Sequence, residues 1–411
     1  MASASPARRV AHKVLLRVFE DDAYADRAFS SEAKDLDPRD RAFAQRIAYG
    51  AIQMARTLDH AIERLGGRPV EAMDAPVRAA IRLGAYELAF LDGVPARASV
   101  NEAVELVKAS PARRAAGFTN AVLRRVAEGI RGLVTGLPES TAQEAALRHS
   151  YPDWVAETWW EEWRAEKALA LMRSQNEPPE TAVRVVATGE ARVVDRIDPG
   201  ELERGEVWPQ SRGSQLAGAA VDVQPGERVL DLCAAPGGKT TQLARLAAEV
   251  VAVELHPGRA RELDENVRRL GFSNVHVVNA DARELPAKLD GFDRVLVDAP
   301  CSGLGVLAAR PDLRWRAKPL PELQTELLRV AAERVKPGGA IVYSVCTIAK
   351  KENEDVVDAD VSDQANRLAL DASLAETWPE YEHPNRSGVL LTLPHRHRTS
   401  GFFIARLIRT A

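Results

Sequence analysis

Two cysteines stand where apolar, strand-like runs end: Cys301 in Asp298-Ala299-Pro300-Cys301 and Cys346 in Tyr343-Ser344-Val345-Cys346-Thr347. Both lie downstream of Asp231-Leu232-Cys233-Ala234-Ala235-Pro236-Gly237-Gly238-Lys239, a glycine-rich stretch that follows another such run. The carboxyl ends of parallel strands gather at one edge of a sheet, so this order puts two thiols beside one loop. A thiolate is the side chain best able to add to a poorly electrophilic carbon, and a second thiol nearby can help to undo the addition. The pattern points to covalent catalysis on a pyrimidine ring.

Spacing separates three readings of the loop. Gly238-Lys239-Thr240 looks like the tail of a P-loop, but that motif needs a glycine five residues before Gly238, where this chain has Cys233. The dinucleotide fingerprint GxGxxG fails as well, because Pro236-Gly237-Gly238 replaces its first turn. What remains is a strand ending in Asp231, a tight turn through Cys233, Ala234, Ala235, Pro236, Gly237 and Gly238, and a helix opening near Thr240. Small side chains let the backbone amides of such a turn approach an amino-acid carboxylate. Glu254 lies at the next strand tip, where an acid accepts hydrogen bonds from ribose hydroxyls, and Asp281 stands at the third, facing an adenine amino group. Acids at three successive tips point to S-adenosylmethionine.

Methylating C5 of cytosine with such a donor makes specific demands. A thiolate adds to C6 while an acid protonates or hydrogen-bonds N3, and the resulting enamine carbon takes the methyl group. A base then removes the C5 proton so that the thiol is expelled. Cys301, Cys346, Asp298 and Lys239 offer candidates for these roles.

The elements that must position these residues are legible in the hydrophobic pattern. With 411 residues, the chain exceeds what one core usually supports, which predicts two or three domains. Residues 8 to about 130 read as helix throughout, with apolar positions recurring at three and four in Val10, Val14, Leu15, Val18 and in Val77, Ile81, Leu83, Leu88. A fresh segment follows Leu137, with Trp154, Trp159, Trp160 and Trp163 on one helical run expected to pack in a core, then a strand over Thr181 to Val186. After Gly226, short β-branched runs alternate with helices: Arg228 to Leu232, Val250 to Glu254, Val275 to Val278, Arg294 to Val297 and Ala340 to Val345. That alternation predicts a doubly wound parallel sheet. The runs Val389 to Leu393 and Phe402 to Leu407 follow without a helix between them and are expected to pair antiparallel at its edge.

Composition closes several alternatives. Three cysteines cannot all pair and none sits in a CxxC arrangement, so neither disulfides nor a metal site is expected. No run approaches membrane-spanning length, and the N-terminus lacks a secretory apolar stretch before Glu20, Asp21 and Asp22, so a cytoplasmic protein with no membrane partner is expected. A net charge of −4 argues against a wholly basic nucleic-acid coat but leaves local patches open.

Taken together, DLCAAPGGKT, DAPCSGLG and YSVCT resemble the three signature motifs of RNA 5-methylcytosine methyltransferases. The helical first domain, including Gly117-Phe118-Thr119-Asn120-Ala121-Val122-Leu123-Arg124-Arg125, is similar to the NusB-type RNA-binding domain, and the combination resembles the bacterial RsmB (Sun/Fmu) family. The resemblance implies an α plus α/β chain: a NusB-like all-helical bundle over 1–135, a small α+β connecting subdomain over 136–220 and a Rossmann-like S-adenosylmethionine methyltransferase sheet over 221–411. It makes Cys346 the nucleophile and Cys301 the residue that resolves the adduct, brings Asp298 to the cytosine edge and Lys239 to the same pocket. It assigns the cofactor to Cys233, Ala234, Ala235, Pro236, Gly237, Gly238, Lys239, Glu254, Arg259, Asp281 and Asp298, with Cys233 contributing its backbone surroundings rather than its sulfur. DNA methylases, by contrast, place their nucleophile at a Pro-Cys like Pro300-Cys301.

Two stretches depart from the family pattern: Gln210-Ser211-Arg212-Gly213-Ser214-Gln215 lacks an acidic pair before Ser-Gln, and Thr399-Ser400-Gly401-Phe402-Phe403 lacks an aspartate before its glycine. The expected partner is ribosomal RNA, naked or early in assembly, because a base must leave its stack to reach a thiol. No obligate protein partner is implied. Arg113, Arg114, Arg124, Arg125 and Arg131, and Arg396 and Arg398 with His395 and His397, are candidate phosphate contacts, and Arg310 to Trp315 a loop framing the RNA. The catalytic motifs leave a transfer-RNA cytosine methyltransferase open, and the NusB-like module leaves a non-catalytic assembly factor open.

Overall fold

The computed structural model describes residues 4–363 and 367–410. The chain forms two compact units, one of Met1–Asn176 with Leu307–Arg316, the other of Glu177–Val306 with Ala317–Ala411.

The first unit is helical: α1 (Pro6–Phe19), α2 (Ala25–Glu32), α3 (Pro38–Gln53), α4 (Ala55–Gly66), α5 (Ala75–Phe90), α6 (Ala96–Lys108), α7 (Ala116–Thr135), α8 (Ala142–His149) and α9 (Asp153–Ser174). Local chemistry sets the boundaries. Asp37 accepts from the amides of Arg39 and Asp40 at 2.9 Å ahead of Pro38, and Gly67 ends α4 at φ 72°, a left-handed conformation that suits glycine. Leu58, Ala61 and Ile62 fall on one face of α4 and join Leu15, Ile47 and Ile52 in a core sealed from solvent. Trp159 and Trp163 are also buried, Trp159 against Tyr151 with ring centroids 5.3 Å apart, whereas Trp154 is part-exposed. The strands of residues 136–220 belong to the second unit, while α8 and α9 belong to the first.

Leu307–Arg316 folds with the helices. Leu307 donates its amide to Gln175 Oε1 at 3.0 Å, and Trp315 donates from Nε1 to the Ile52 carbonyl at 2.7 Å. Arg314 is fully buried at the ends of three helices: Nη1 donates to the carbonyls of His149 and Ser150 at 3.2 Å and more weakly to that of Gln53, and Nη2 to the Gln175 carbonyl at 2.9 Å. Carbonyls at helix C-termini carry partial negative charge, which compensates a cation that has no carboxylate partner among the described residues. The expectation that Arg310 to Trp315 frames RNA is corrected for Arg314, which is buried in this packing.

The second unit holds two sheets. Strands β1 (Ala182–Val185), β2 (Ala191–Val193) and β3 (Val207–Pro209) form a three-stranded antiparallel sheet in the order β2-β1-β3. The larger, Rossmann-like sheet is built from β4 (Arg228–Asp231), β5 (Glu249–Glu254), β6 (Val275–Asn279), β7 (Phe292–Asp298), β8 (Val335–Val345), β9 (Leu368–Leu370), β10 (Leu390–Thr392) and β11 (Phe402–Arg409). Its order is β10-β11-β8-β7-β4-β5-β6, with β9 also on β11. Strands β4 to β8 run parallel, and the chain reverses direction across the sheet between β4 and β7. Such a switch point opens a crevice at the carboxyl ends of its strands.

Strands β10 and β11 pair antiparallel, but β11 lies inside the sheet between β10 and β8, and a helical turn over Pro394–His397 separates the two. The reason is burial: Phe402 to Leu407 is covered on both faces, as suits an interior strand. Among the described residues no helix is long and apolar enough to cross a membrane, and no group of three or more His, Cys, Asp or Glu side chains is arranged to hold a metal.

Candidate active site

The loop after β4 is held by backbone bonds to both neighbouring strands. Leu232 donates its amide to the Leu296 carbonyl at 3.0 Å and Ala234 to that of Val253 at 2.9 Å. Gly237 turns the chain into the helix Gly238–Ala244 at φ 106°, and a Cβ on Gly238 would come within 2.6 Å of Trp208 Nε1. Trp208 thus fills the space that a side chain at position 238 would need, which only glycine allows. Beneath the loop Asp231 is buried and accepts from Thr240 Oγ1 at 2.8 Å; burial pushes its carboxyl up to about 7 against that hydrogen bond.

Glu254 ends β5 with Oε1 fixed by the His256 amide at 2.9 Å, and Arg259 donates from Nη2 to the Ala235 carbonyl at 2.8 Å while its Nε stays 3.6 Å from Glu254 Oε2. Asp281 caps the turn after β6 and is gripped by Arg283, whose Nη2 lies 2.7 Å away and holds the carboxyl below its ordinary range. Asn279 ties that tip to β5, donating to the carbonyls of Glu254 at 2.7 Å and Leu255 at 2.9 Å. Leu255 is 53% exposed beside Glu254, an apolar surface at the tip where the flat face of an adenine would rest. An amide-rich helix start, a fixed carboxylate and an open apolar side chain fit S-adenosylmethionine. Sequence reasoning passed over Asn279 and Leu255, since neither residue type stands out without the strand ends being aligned.

The two thiols converge. Cys301 Sγ and Cys346 Sγ lie 3.3 Å apart, within reach of a hydrogen bond and well beyond a disulfide. Asp298 ends β7 between them and the loop: Lys239 Nζ donates to its Oδ2 at 2.8 Å and Ser344 Oγ to its Oδ1 at 2.7 Å, while Lys239 Nζ sits 4.9 Å from the Phe402 ring. The hydrogen bond between the two thiols sets their acidities apart. That bond is the largest influence, raising the Cys301 thiol well above the usual range, with burial adding to it; the same bond lowers Cys346, with Lys239 assisting against burial. The remaining cysteine, Cys233, is pushed up chiefly by burial and then by the charges of Asp231, Asp298 and Glu254.

Glycines and a buried acid fix this pair. Gly305 donates its amide to the Cys346 carbonyl at 2.9 Å and accepts from the Gly401 amide at 2.7 Å. Glu352 accepts from the amides of Ser302 and Leu320 and from Gln324 Nε2, each at 3.0 Å. Ser302, Gln324, Ser344 and Glu352 were missed by sequence reasoning; Glu352 and Asn353 are buried although they follow two lysines.

The comparisons bear on this geometry. Over 97% of its length the chain is 31% identical to the probable ribosomal RNA small subunit methyltransferase B of Bacillus subtilis, covering 98% of that protein. The chain belongs to the RsmB family. The sequence model described as 16S rRNA methyltransferase RsmB/F matches residues 219–408, and that of the NusB family matches residues 5–128. The ribosomal RNA small subunit methyltransferase B of Thermus thermophilus is 37% identical across 78% of each chain. Among solved structures, that of PH0851 matches with a TM-score of 0.81 at 25% identity, covering 99% of both chains. A methyltransferase homolog protein from Pyrococcus horikoshii matches with a TM-score of 0.56 at 26% identity, over 66% of this chain and all of that one. RsmB-family enzymes are methyltransferases that use S-adenosylmethionine.

Where this RsmB-family chain departs from the family motifs, Glu180 supplies an acid. It pairs with Arg212 Nε at 2.8 Å and accepts from Thr399 Oγ1, while the Gly213 amide donates to the same Thr399 oxygen at 3.1 Å. The basic residues divide. Arg113, Arg114, Arg124 and Arg125 are exposed on the helical unit, and Arg396 and Arg398 on the other. Arg131 is exposed as well, and it also donates to the carbonyls of Leu88 and Leu91 at 2.9 Å and pairs with Asp92.

Proposed function

We propose that the chain methylates C5 of a cytosine in small-subunit (16S) ribosomal RNA, with Cys346 as nucleophile and Cys301 as the residue that resolves the covalent adduct. The 3.3 Å approach of the two sulfurs beside the Lys239–Asp298 pair carries this reading.

Cys346, the thiolate of the pair, gives an electron pair from Sγ to C6; the C5=C6 bond opens and charge moves towards N3, where Asp298 meets the base edge. Lys239 offsets the charge that gathers there. S-adenosylmethionine, when bound, supplies the electrophilic methyl group that C5 takes up. For release, the C5 proton passes to Cys301 Sγ as Cys301 gives its own proton to Cys346 Sγ. The C5–H electrons restore the C5=C6 bond, and the C6–S pair returns to Cys346. The thiol pair ends with one proton more than it began with, namely the hydrogen that the methyl group replaced, and Cys346 loses it to solvent.

In this reading the loop Cys233 to Lys239 holds the cofactor's carboxylate through the amides of Ala235, Gly238 and Lys239, Glu254 holds its ribose hydroxyls and Asp281 its adenine amino group, with Arg259 fixing the loop from behind. The substrate is RNA whose target base can swing out of its stack, hence naked or early-assembly ribosomal RNA in the cytoplasm. The exposed arginines of the helical unit neutralise phosphates.

Parallel incubations with naked 16S ribosomal RNA and with transfer RNA, each with labelled S-adenosylmethionine and followed by bisulfite mapping, test the proposal. One protected cytosine is expected. Label confined to transfer RNA would favour a transfer-RNA enzyme, and no label on any RNA would favour a non-catalytic assembly factor.

A further inference from the structure

The buried carboxylate of Glu352 is held entirely by neutral donors. No cation pairs with it among the described residues; it accepts from the Ser302 amide, the Leu320 amide and Gln324 Nε2 through Oε1, and from Ser302 Oγ through Oε2. Ser302 follows Cys301 directly, and Gln324 Nε2 also donates to the carbonyl of Pro300, the residue before it, at 2.9 Å. Ser302 Oγ lies 2.9 Å from Thr347 Oγ1, beside Cys346. The backbone is thus gripped on both sides of Cys301 and tied to the neighbour of Cys346. The carboxylate is itself anchored, because Tyr343 donates from its hydroxyl to the Glu352 carbonyl at 2.6 Å.

Seating a carboxylate among neutral donors costs desolvation that no ion pair offsets, so a hydrophobic side chain would serve mere packing better. The arrangement does suit a task in which four directed acceptor contacts must fix a loop and a negative charge must sit behind one of two thiols. We infer that Glu352 is a positioning residue for adduct release, clamping the Pro300-Cys301-Ser302 backbone so that the Cys301 sulfur stays within reach of the Cys346 sulfur. The charge acts in the same direction: the titratable groups that bear on Cys301 are Cys346 and Glu352, and both favour its protonated form, while the Gly303 amide opposes them. Those that bear on Cys346 are Cys301, Asp298, Lys239 and, more weakly, Glu352.

The inference rests on the two-thiol reading above, so its test has one arm that needs no RNA. In the free enzyme, alkylation of each cysteine by iodoacetamide is followed across pH by mass spectrometry. In Glu352→Ala, Cys301 is expected to react at least about tenfold faster at pH 8 than in the native enzyme, because both clamp and charge are gone. Glu352→Gln can keep the acceptor contacts of Oε1 while losing the charge, so its Cys301 titration should move to lower pH with the fold intact. Unchanged Cys301 reactivity in both variants overturns the clamp.

The second arm uses RNA and S-adenosylmethionine. Glu352→Ala is expected to complete one round of methyl transfer at a rate that approaches the native one at high pH, where Cys346 ionises without the bond from Cys301, then turn over at least about tenfold more slowly with a denaturant-resistant protein–RNA species, while Glu352→Gln recovers most of the turnover. Equal loss of the first round and of turnover, with cofactor binding retained, overturns a role specific to release. Cys301→Ala run in parallel separates the two ideas: if it accumulates no adduct, the two-thiol reading fails, and the alkylation arm alone decides the clamp.

Discussion

Lys239 Nζ lies 2.8 Å from Oδ2 of Asp298, joining the first turn of the loop helix to the tip of β7 across the sheet's switch point. This contact connects the cofactor loop to the thiol pair, because Lys239 also lowers the Cys346 thiol.

Replacing Lys239 with Met is therefore expected to leave Asp298 without its cation and Cys346 a weaker acid. Methyl transfer should fall by about a hundred- to a thousandfold at neutral pH, as removal of one preorganised donor does elsewhere, and recover partly at higher pH. Initial rates across pH check this; a uniform loss at every pH would contradict it.

The pH dependence of the first chemical round follows from the shared proton. The rate should climb as Cys346 deprotonates, with a midpoint below the ordinary thiol value, since the hydrogen bond from Cys301 lowers it. Removing that bond in Cys301→Ala raises Cys346, so the midpoint of single-turnover methyl transfer moves to higher pH. A midpoint that stays put would mean that the Cys301 proton does not bear on the nucleophile.

Asp231 offers a stability prediction. Its folded value of about 7 lies above the unfolded carboxylate value of about 3.9, so the folded state binds the proton more tightly. Stability from this group is full below pH 4 and is lost as pH rises through about 7, a swing of a few kcal/mol by linkage. Asp231→Asn should flatten the urea-denaturation profile between those limits; an unchanged slope would show that Asp231 is ionised throughout.

Gly305→Ala would bring a Cβ within 2.1 Å of the Gly401 carbonyl oxygen, where backbone meets backbone and nothing flexible can yield. Loss of about 2 kcal/mol or more and separation of the two thiols are expected. Thermal unfolding and the rate of thiol crosslinking by a short bis-electrophile measure both.

Much of this was legible in residues alone. The β-branched runs gave all five parallel strands, and the motif residues Lys239, Asp298, Cys301 and Cys346 meet as their strand ends do. What stayed hidden was polarity turned inward. Arg314 and Glu352 lie in charged stretches yet are buried, and a single sequence does not reveal which helix ends or loop amides will converge on them. The interior place of β11 was likewise obscured, since covering strands arrive from distant parts of the chain.

The most direct test uses Cys301→Ala with 16S ribosomal RNA and S-adenosylmethionine, followed by denaturation, digestion and mass spectrometry of any protein–RNA species. The account predicts a methylated cytosine joined through C6 to the sulfur of Cys346, and no such species in the Cys301→Ala, Cys346→Ala double variant. A nucleotide joined to any other residue, or full turnover without an adduct, would contradict it.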